Sequence, residues 1–384
     1  MSIYIFILGK HPELSVAELK GRYPKAKFQS AGEGFVVFST SKNINQAEFD
    51  HLGGAIKAAN VAEDVKKDEL INGLSDILSG HYQDTKLDYG LSLYGMSEKR
   101  LRPILLKLKK KLKSDGIKSR FINHNFKNIS AAQYKSIKKK GIELLVVKDD
   151  SRFLIGEVVG VQDIDAYSKR DYEKPFRDMQ MGMMPPKLAQ ILINLTGVEG
   201  KVWDPFCGSG TLIMEGLLMG REMIGSDINP RYIEGAKKNI EWLIKNFELR
   251  NTKYELLVHD ATQPFKENFD AIAFEGDLGM PHNQFIKPDR LQEIIDELDG
   301  LYIRFFENLK QMKCHVPIVA ALPFFRLRNG QEKDMKNTIQ KIQKLGFKRT
   351  PLLPDIIKSG DRFTLKYARE NQAVGRAVYG FELA

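Results

Sequence analysis

Cysteine is almost absent: Cys207 and Cys314 are the two in 384 residues. That excludes a disulfide framework and a cysteine-built zinc site, and it fits a reducing cytoplasm. Long apolar runs are missing too. None approaches the ~18 residues a membrane helix needs. The N-terminal MSIYIFILGKHPE has neither a basic leader nor a small-residue cleavage site, so it reads as a first strand rather than a signal peptide. No internal repeat and no low-complexity tract is visible. What remains is ordinary, 42% hydrophobic and 28% charged. The length allows two or three domains with more than one core.

Acids are missing from one particular stretch. From Lys99 to Lys140 there are 15 Lys or Arg against one acid, Asp115, an excess larger than the whole chain's +10. Many lysine runs are only solvated helix faces. This one spans two predicted helices and the strand between them, so a shared basic surface for a polyanion is expected, with nucleic acid the natural partner. Lys107, Lys110, Lys111, Lys113, Arg120, Lys138 and Lys139 are the candidate contacts.

Two small α/β units precede the linker. In the first, SIYIFILG and FVVFST read as strands, and HPELSVAELKGRYP and INQAEFDHLGG as helices. In the second, ELINGLSDILSGHY, SEKRLRPILLKLKKKLKSDG and SAAQYKSIKKKG read as helices. The second of these is capped by Ser97 and stopped at Asp115-Gly116, and the third is stopped by Gly141. KLDYGLSLYG and KSRFINHN are strands, and IELLVVKDD with SRFLIGEVVGVQD forms a hairpin. AYSKRDYEKPFRDMQMGMMPP is charged, Met-rich and aperiodic, and reads as a linker packed on a site. Pro186 opens the helix KLAQILINLTG. From Lys201 strands and helices alternate strictly, which predicts a mostly parallel, doubly wound sheet. There EKDMKNTIQKIQKLG reads as one helix, and AVGRAVYGFEL extends the last strand pairing.

Ligands of such sheets bind beyond the carboxyl ends of the strands. Asp204, Asp227 and Asp260 end three successive strands: KVWDPFC, REMIGSDI and YELLVHDA. Between the first strand and its helix lies DPFCGSGT. Pro205 biases Asp204 towards an extended conformation, and Gly208 and Gly210 allow a sharp turn. A phosphate loop is excluded because no lysine follows Gly210. A dinucleotide fingerprint is excluded because Ile213 stands where its third glycine belongs. Asp227 can take both hydroxyls of a ribose. The pattern asks for a nucleoside without pyrophosphate, and S-adenosylmethionine has that chemistry. Cys207 invites a nucleophile reading, but no histidine is near it in sequence.

DPFCGSGT followed by GSDINP resembles the cofactor motifs of class I S-adenosylmethionine-dependent methyltransferases that act on amino groups. MSIYIFILGKHPELSVAEL, RDYEKPFRDMQMGMMPPKLAQILINLTG and LKYARENQAVGRAVYGFEL resemble the THUMP-domain tRNA guanosine N2-methyltransferases, which act on guanosine 10 of tRNA. The similarity covers nearly the whole chain. It is sharpest over residues 170–230 and loosest over residues 60–150. It implies an α/β chain with a ferredoxin-like domain at 1–58, a THUMP RNA-binding domain at 59–163, a linker at 164–184 and a Rossmann-like methyltransferase domain at 185–384. It also implies tRNA as partner and S-adenosylmethionine as cofactor, with no metal. Eukaryotic relatives need a small activating subunit and archaeal ones can act alone, so both possibilities stand. Asp204, Gly208 and Gly210 would line the methionine end, flanked by Phe206 and Thr211. Asp227 would hold the ribose, with Ile228 next to it. Asp260 would meet the adenine amino group beside Ala261, and Pro185 and Pro186 would place the preceding segment against the cofactor.

The resembled family carries Asp-Pro-Pro-Tyr at the end of its fourth strand, where a carboxylate and a backbone carbonyl accept the N–H bonds of the target amino group. This chain reads FDAIAFEGDLGMP there. Glu275 keeps the carboxylate one methylene longer, Gly276 and Asp277 replace the prolines, and Leu278 replaces the stacking ring. Three readings stay open. Glu275 accepts from the amino group while Phe274, Phe324 or Phe325 stacks on the base; or Asp277 is the acceptor; or the chain binds RNA and cofactor without catalysis. The two acids can also merely cap the loop before Pro281. A DNA adenine methyltransferase shares the same catalytic logic.

Overall fold

The computed structural model describes residues 1–137, 141–178, 183–279, 288–358, 360–369 and 372–384. They form two compact units. One comprises 1–12, 25–50 and 55–164, the other 13–24, 51–54 and 165–384. Among the described residues no helix is long and apolar enough to cross a membrane.

The first unit is built on one eight-stranded sheet. Its strands are β1 (Ser2–Leu8), β2 (Lys27–Gly32), β3 (Phe35–Thr40), β4 (Ala55–Lys66), β5 (Leu87–Tyr94), β6 (Ser119–Phe121), β7 (Gly141–Asp149) and β8 (Arg152–Val161), in the order β2-β3-β1-β4-β8-β7-β5-β6. Helix α1 (Pro12–Arg22) lies almost wholly in the second unit, while α2 (Gln46–Phe49), α3 (Leu70–Gly80), α4 (Leu101–Ser114) and α5 (Ala131–Ile137) belong to the first. The hairpin of β7 and β8 pairs Asp149 with Arg152. Strands β2 and β4 have no counterpart in the sequence reading. Alanine, lysine and acids dominate β4, all poor strand formers. It forms because it is paired on both sides, with β1 and with β8. The expected boundary at 58/59 therefore falls within a strand.

Local expectations differ in four further places. The expected helix at 44–54 is only the four-residue α2, capped by Asn45. Ser97 makes no side-chain cap, and residues 98–100 form a single 3-10 turn before α4. Gly141 opens β7 instead of stopping a helix. In the second unit the expected helix at 332–346 begins as a short strand, described below. Helix α4 itself follows its pattern. Leu101, Leu105, Leu108 and Leu112 recur at helical spacing and are fully buried, each contributing roughly 2 kcal/mol. Its other face carries the lysines.

The second unit holds α6 (Ile164–Tyr172), α7 (Pro186–Leu195), β9 (Val202–Asp204), α8 (Thr211–Leu218), β10 (Met223–Asp227), α9 (Pro230–Asn246), β11 (Tyr254–Val258), β12 (Ala271–Glu275), α10 (Pro288–Gln311), β13 (Ile318–Arg326), β14 (Glu332–Asp334), α11 (Lys336–Lys344), β15 (Phe347–Thr350), β16 (Leu365–Tyr367) and β17 (Val374–Leu383). The main path runs β11-β10-β9-β12-β13-β17-β15, with β14 on β13 and β16 on β17. Counted from β9 with those two set aside, the order is 3-2-1-4-5-7-6, and the seventh strand is antiparallel to its neighbours. This is the expected Rossmann-like arrangement. The order reverses between β9 and β12, where a doubly wound sheet opens a crevice at its carboxyl edge. Trp203 of β9 is fully buried, stacked 4.1 Å from Phe265, and donates to Ser226 Oγ of β10 at 3.0 Å.

The segment 164–184, expected as a linker, starts with helix α6. Arg170 pairs with the buried Glu215 of α8 at 2.7 Å. The backbone of Phe176 is held by the Asn239 side chain of α9. Residues 165–178 are thus fastened to the two helices that follow β9 and β10. Met179–Gly182 lie outside the described residues.

Candidate active site

A cavity of about 600 Å³ opens at the carboxyl ends of β9, β10 and β12. Asp204, Phe206, Gly208, Thr211, Asp227, Ile228, Asp260, Ala261, Glu275 and Asp277 all line it. Gly210 does not. It sits at φ +78°, and a Cβ there would press on Ala236 Cβ at 2.9 Å. Its role is the left-handed entry into α8 and the close approach of α9.

Each carboxylate is held differently. Asp204 is buried and accepts from Phe206 N–H at 3.1 Å. Burial pushes its carboxyl well above the usual range, and the nearby Asp227 and Glu275 push it further. Asp227 accepts from Gly208 N–H at 3.0 Å and Asn229 N–H at 2.9 Å, one bond to each oxygen. Burial raises its pKa, with Asp277 adding to the shift. Asp260 Oδ1 accepts from the backbone and hydroxyl of Thr262 at 2.9 and 2.8 Å. Ile228 is an apolar wall, 68% exposed. On α8, the Thr211 hydroxyl accepts from the buried Lys174 ammonium at 2.8 Å, which leaves the hydroxyl proton free to donate.

Cys207 is no nucleophile. Burial, with Asp204 and Asp227 beside it, pushes its thiol well up, so it stays protonated.

Glu275 ends β12 and is bound to Arg376 of β17, Nε to Oε1 at 2.7 Å. Burial alone would lower the Arg376 pKa, but the Glu275 carboxylate outweighs it and the guanidinium is held above its ordinary value. Asp277 is exposed. Its Oδ1 accepts from Gly279 N–H at 2.8 Å, and its carbonyl accepts from the Tyr302 hydroxyl. The stacking candidates are overturned: Phe274, Phe324 and Phe325 are fully buried in the core. Among the described residues, the aromatic rings that line the cavity are those of Phe206, Tyr232 and His259. Pro281 lies outside the described residues.

Sequence reasoning missed Arg376, Tyr302 and Tyr232. Arg376 left a signal. It is the one charge within the apolar run AVGRAVYGF, and a buried charge demands a partner. Tyr302 left none.

In the first unit Lys107, Lys110 and Lys113 are exposed on α4. Two candidates are already engaged: Lys111 pairs with Asp115 at 2.7 Å, and Arg120 Nε donates to Asp88 at 2.9 Å. Lys138 and Lys139 lie outside the described residues. Among the described residues no cluster of His, Cys, Asp and Glu is arranged to hold a metal.

The N6_N4_Mtase family model, described as DNA methylase, matches residues 18–238, more than half of the chain. The tRNA (guanine(10)-N2)-dimethyltransferase of Methanothermobacter thermautotrophicus is 31% identical over 135 residues, 34% of this chain and 38% of that protein. The Pyrococcus abyssi protein of the same name is 37% identical over 93 residues, 24% of this chain and 26% of that protein. The type II methyltransferase M.MvaI of Kocuria varians is 50% identical over 106 residues, 24% of this chain and 23% of that protein. The chain thus matches less than two fifths of the length of each of these relatives.

Proposed function

The chain belongs to the DNA methylase family, and from that membership and the similarity to the tRNA (guanine(10)-N2)-dimethyltransferases we propose that it transfers a methyl group from S-adenosylmethionine to an exocyclic amino group in tRNA, with guanine N2 as the target. One observation carries the reading. Asp204, Asp227, Asp260, Glu275 and Asp277 line a single cavity, and Arg290 alone is a permanently cationic side chain among its described lining residues.

These residues fit the cofactor. Its sulfonium and ammonium are cations, and a partly buried, acid-lined cavity favours both. Asp227 keeps a lone pair on each oxygen for the ribose hydroxyls. Ile228 offers an apolar face to the adenine, and Asp260 an acceptor to its amino group. Asp204, Phe206, Gly208 and Thr211 would hold the methionine end. When bound, the cofactor supplies an electrophilic methyl on sulfur.

The chain's own residues prepare the acceptor. An amino nitrogen on a base is a poor nucleophile because its lone pair is delocalised into the ring. Glu275 Oε1 is occupied by Arg376, so Oε2 accepts one amino N–H. A carbonyl of the loop 276–279 accepts the other. Together they localise the lone pair and aim it, so the gain is alignment and placement of charge. Phe206 and Tyr232 offer faces for the base.

Residues 59–163 act in this reading as a THUMP domain gripping RNA, behind a ferredoxin-like domain at 1–58. The exposed lysines of α4 support it, and so do the names of the relatives from Methanothermobacter and Pyrococcus. The family's description and the M.MvaI relative favour a second reading, amino methylation of duplex DNA. Tritiated methyl transfer to unmodified bulk tRNA and to duplex DNA separates the two. Label in tRNA sustains the first reading, and label in DNA alone replaces it.

A further inference from the structure

Glycine and aspartate stand where the resembled family has two rigid prolines, yet the end of β12 is tightly held. Paired residues of adjacent strands project to the same face. Glu275 pairs with Ala321 of β13, while Ala321 and Pro323 pair with Val378 and Arg376 of β17. Arg376 and Glu275 therefore share one face, with only the short Ala321 and Pro323 between them. The guanidinium crosses β13 over these two and reaches Oε1 at 2.7 Å, with the side chains 7% and 10% exposed. A glutamate has one more rotatable bond than an aspartate, and this pairing fixes its rotamer.

The next two residues are held from the other side. Gly276 N–H donates to the Ala321 carbonyl at 3.0 Å. Any Cβ at 276 would collide with the Tyr302 hydroxyl. That hydroxyl, on the fully buried Tyr302 of α10, donates to the Asp277 carbonyl. Gly276 and Tyr302 are a matched pair, with the missing side chain making room for the ring. Asp277 then closes its own turn onto Gly279, at φ +75°.

We infer that Arg376 and Tyr302 are positioning residues that replace the missing proline rigidity, Arg376 aiming the Glu275 carboxylate and Tyr302 fixing the loop beside it. The inference rests on the methyl-transfer reading above. An acceptor must be held to within about 0.5 Å to be productive, and a free glycine loop would not hold it.

The test compares the parent protein with Tyr302→Phe, Arg376→Met and Arg376→Lys. Three quantities are measured: S-adenosylmethionine affinity by calorimetry, single-turnover transfer to an unmodified tRNA transcript, and hydrogen exchange of residues 275–279. All folded variants should keep donor affinity within about twofold. Transfer should slow about tenfold in Tyr302→Phe and about a hundredfold in Arg376→Met, with partial recovery in Arg376→Lys. Exchange of the loop should quicken in Tyr302→Phe. Should Arg376→Met not fold, Tyr302→Phe and Arg376→Lys decide. Transfer and exchange both matching the parent would overturn the inference. If the parent binds the donor but methylates neither tRNA nor DNA, the functional reading falls instead. The exchange result then decides the positioning role alone, faster in Tyr302→Phe sustaining it and unchanged removing it.

Discussion

Asp227 and Glu275 both end parallel strands and both face one cavity, yet they are held by opposite means. Asp227 is aimed by main-chain N–H groups of Gly208 and Asn229, close by in the strand–turn–helix frame. Glu275 is aimed by a buried guanidinium 101 positions away in sequence. A carboxylate held by neutral main-chain donors is fixed without a counter-cation and keeps lone pairs for the hydroxyls of a ribose. One held by a cation is fixed in orientation and suits a directional contact. On the proposed methyl-transfer reading, the contrast separates a binding carboxylate from a chemical one.

Substitutions can break that contrast. The largest effect is expected from Glu275→Gln, which should lower the turnover number about a thousandfold and leave donor affinity unchanged. Steady-state kinetics with calorimetry checks it, and unchanged turnover would transfer the role to Asp277. Asp227→Ala should do the reverse, weakening S-adenosylmethionine binding about a hundredfold through the lost charged hydrogen bonds. Wild-type affinity there would remove Asp227 from the ribose site.

Reversing Lys107, Lys110 and Lys113 to glutamate should weaken tRNA binding about tenfold and flatten its salt dependence by roughly two units of slope. An unchanged slope would reduce the α4 lysines to a solvated face. The smallest effect sharpens the picture of Asp204. Its carboxyl is raised in the fold, chiefly by burial. Such a group stabilises the fold below the ordinary carboxylate range, and that contribution is lost as pH rises through the raised value. Asp204→Asn escapes the loss. Its thermal midpoint relative to the parent should be more favourable at pH 8 than at pH 5. A pH-independent difference would mean that the carboxyl is not strained.

The same contrast explains how much was legible in the sequence. The alternation of strands and helices after Lys201 and the acids Asp204, Asp227 and Asp260 could be read directly, because their partners are local. Asp227 is positioned by residues within the motif itself. Strand β4 could not be read, since its pairing with β1 and β8 overrides the poor strand propensity of AIKAANVAEDVK. Nor could the fixing of Glu275, which depends on Arg376 and Tyr302 arriving from β17 and α10. Phe274, Phe324 and Phe325 were plausible stacking rings by position along their strands, but the strands turn them into the core.

The most direct test is nucleoside mass spectrometry of unmodified tRNA incubated with the purified protein and S-adenosylmethionine, run beside Glu275→Gln. The account predicts guanosine methylated on its exocyclic nitrogen with the parent and almost none with the variant. No methylated nucleoside with the parent, or equal yields from both proteins, would contradict it.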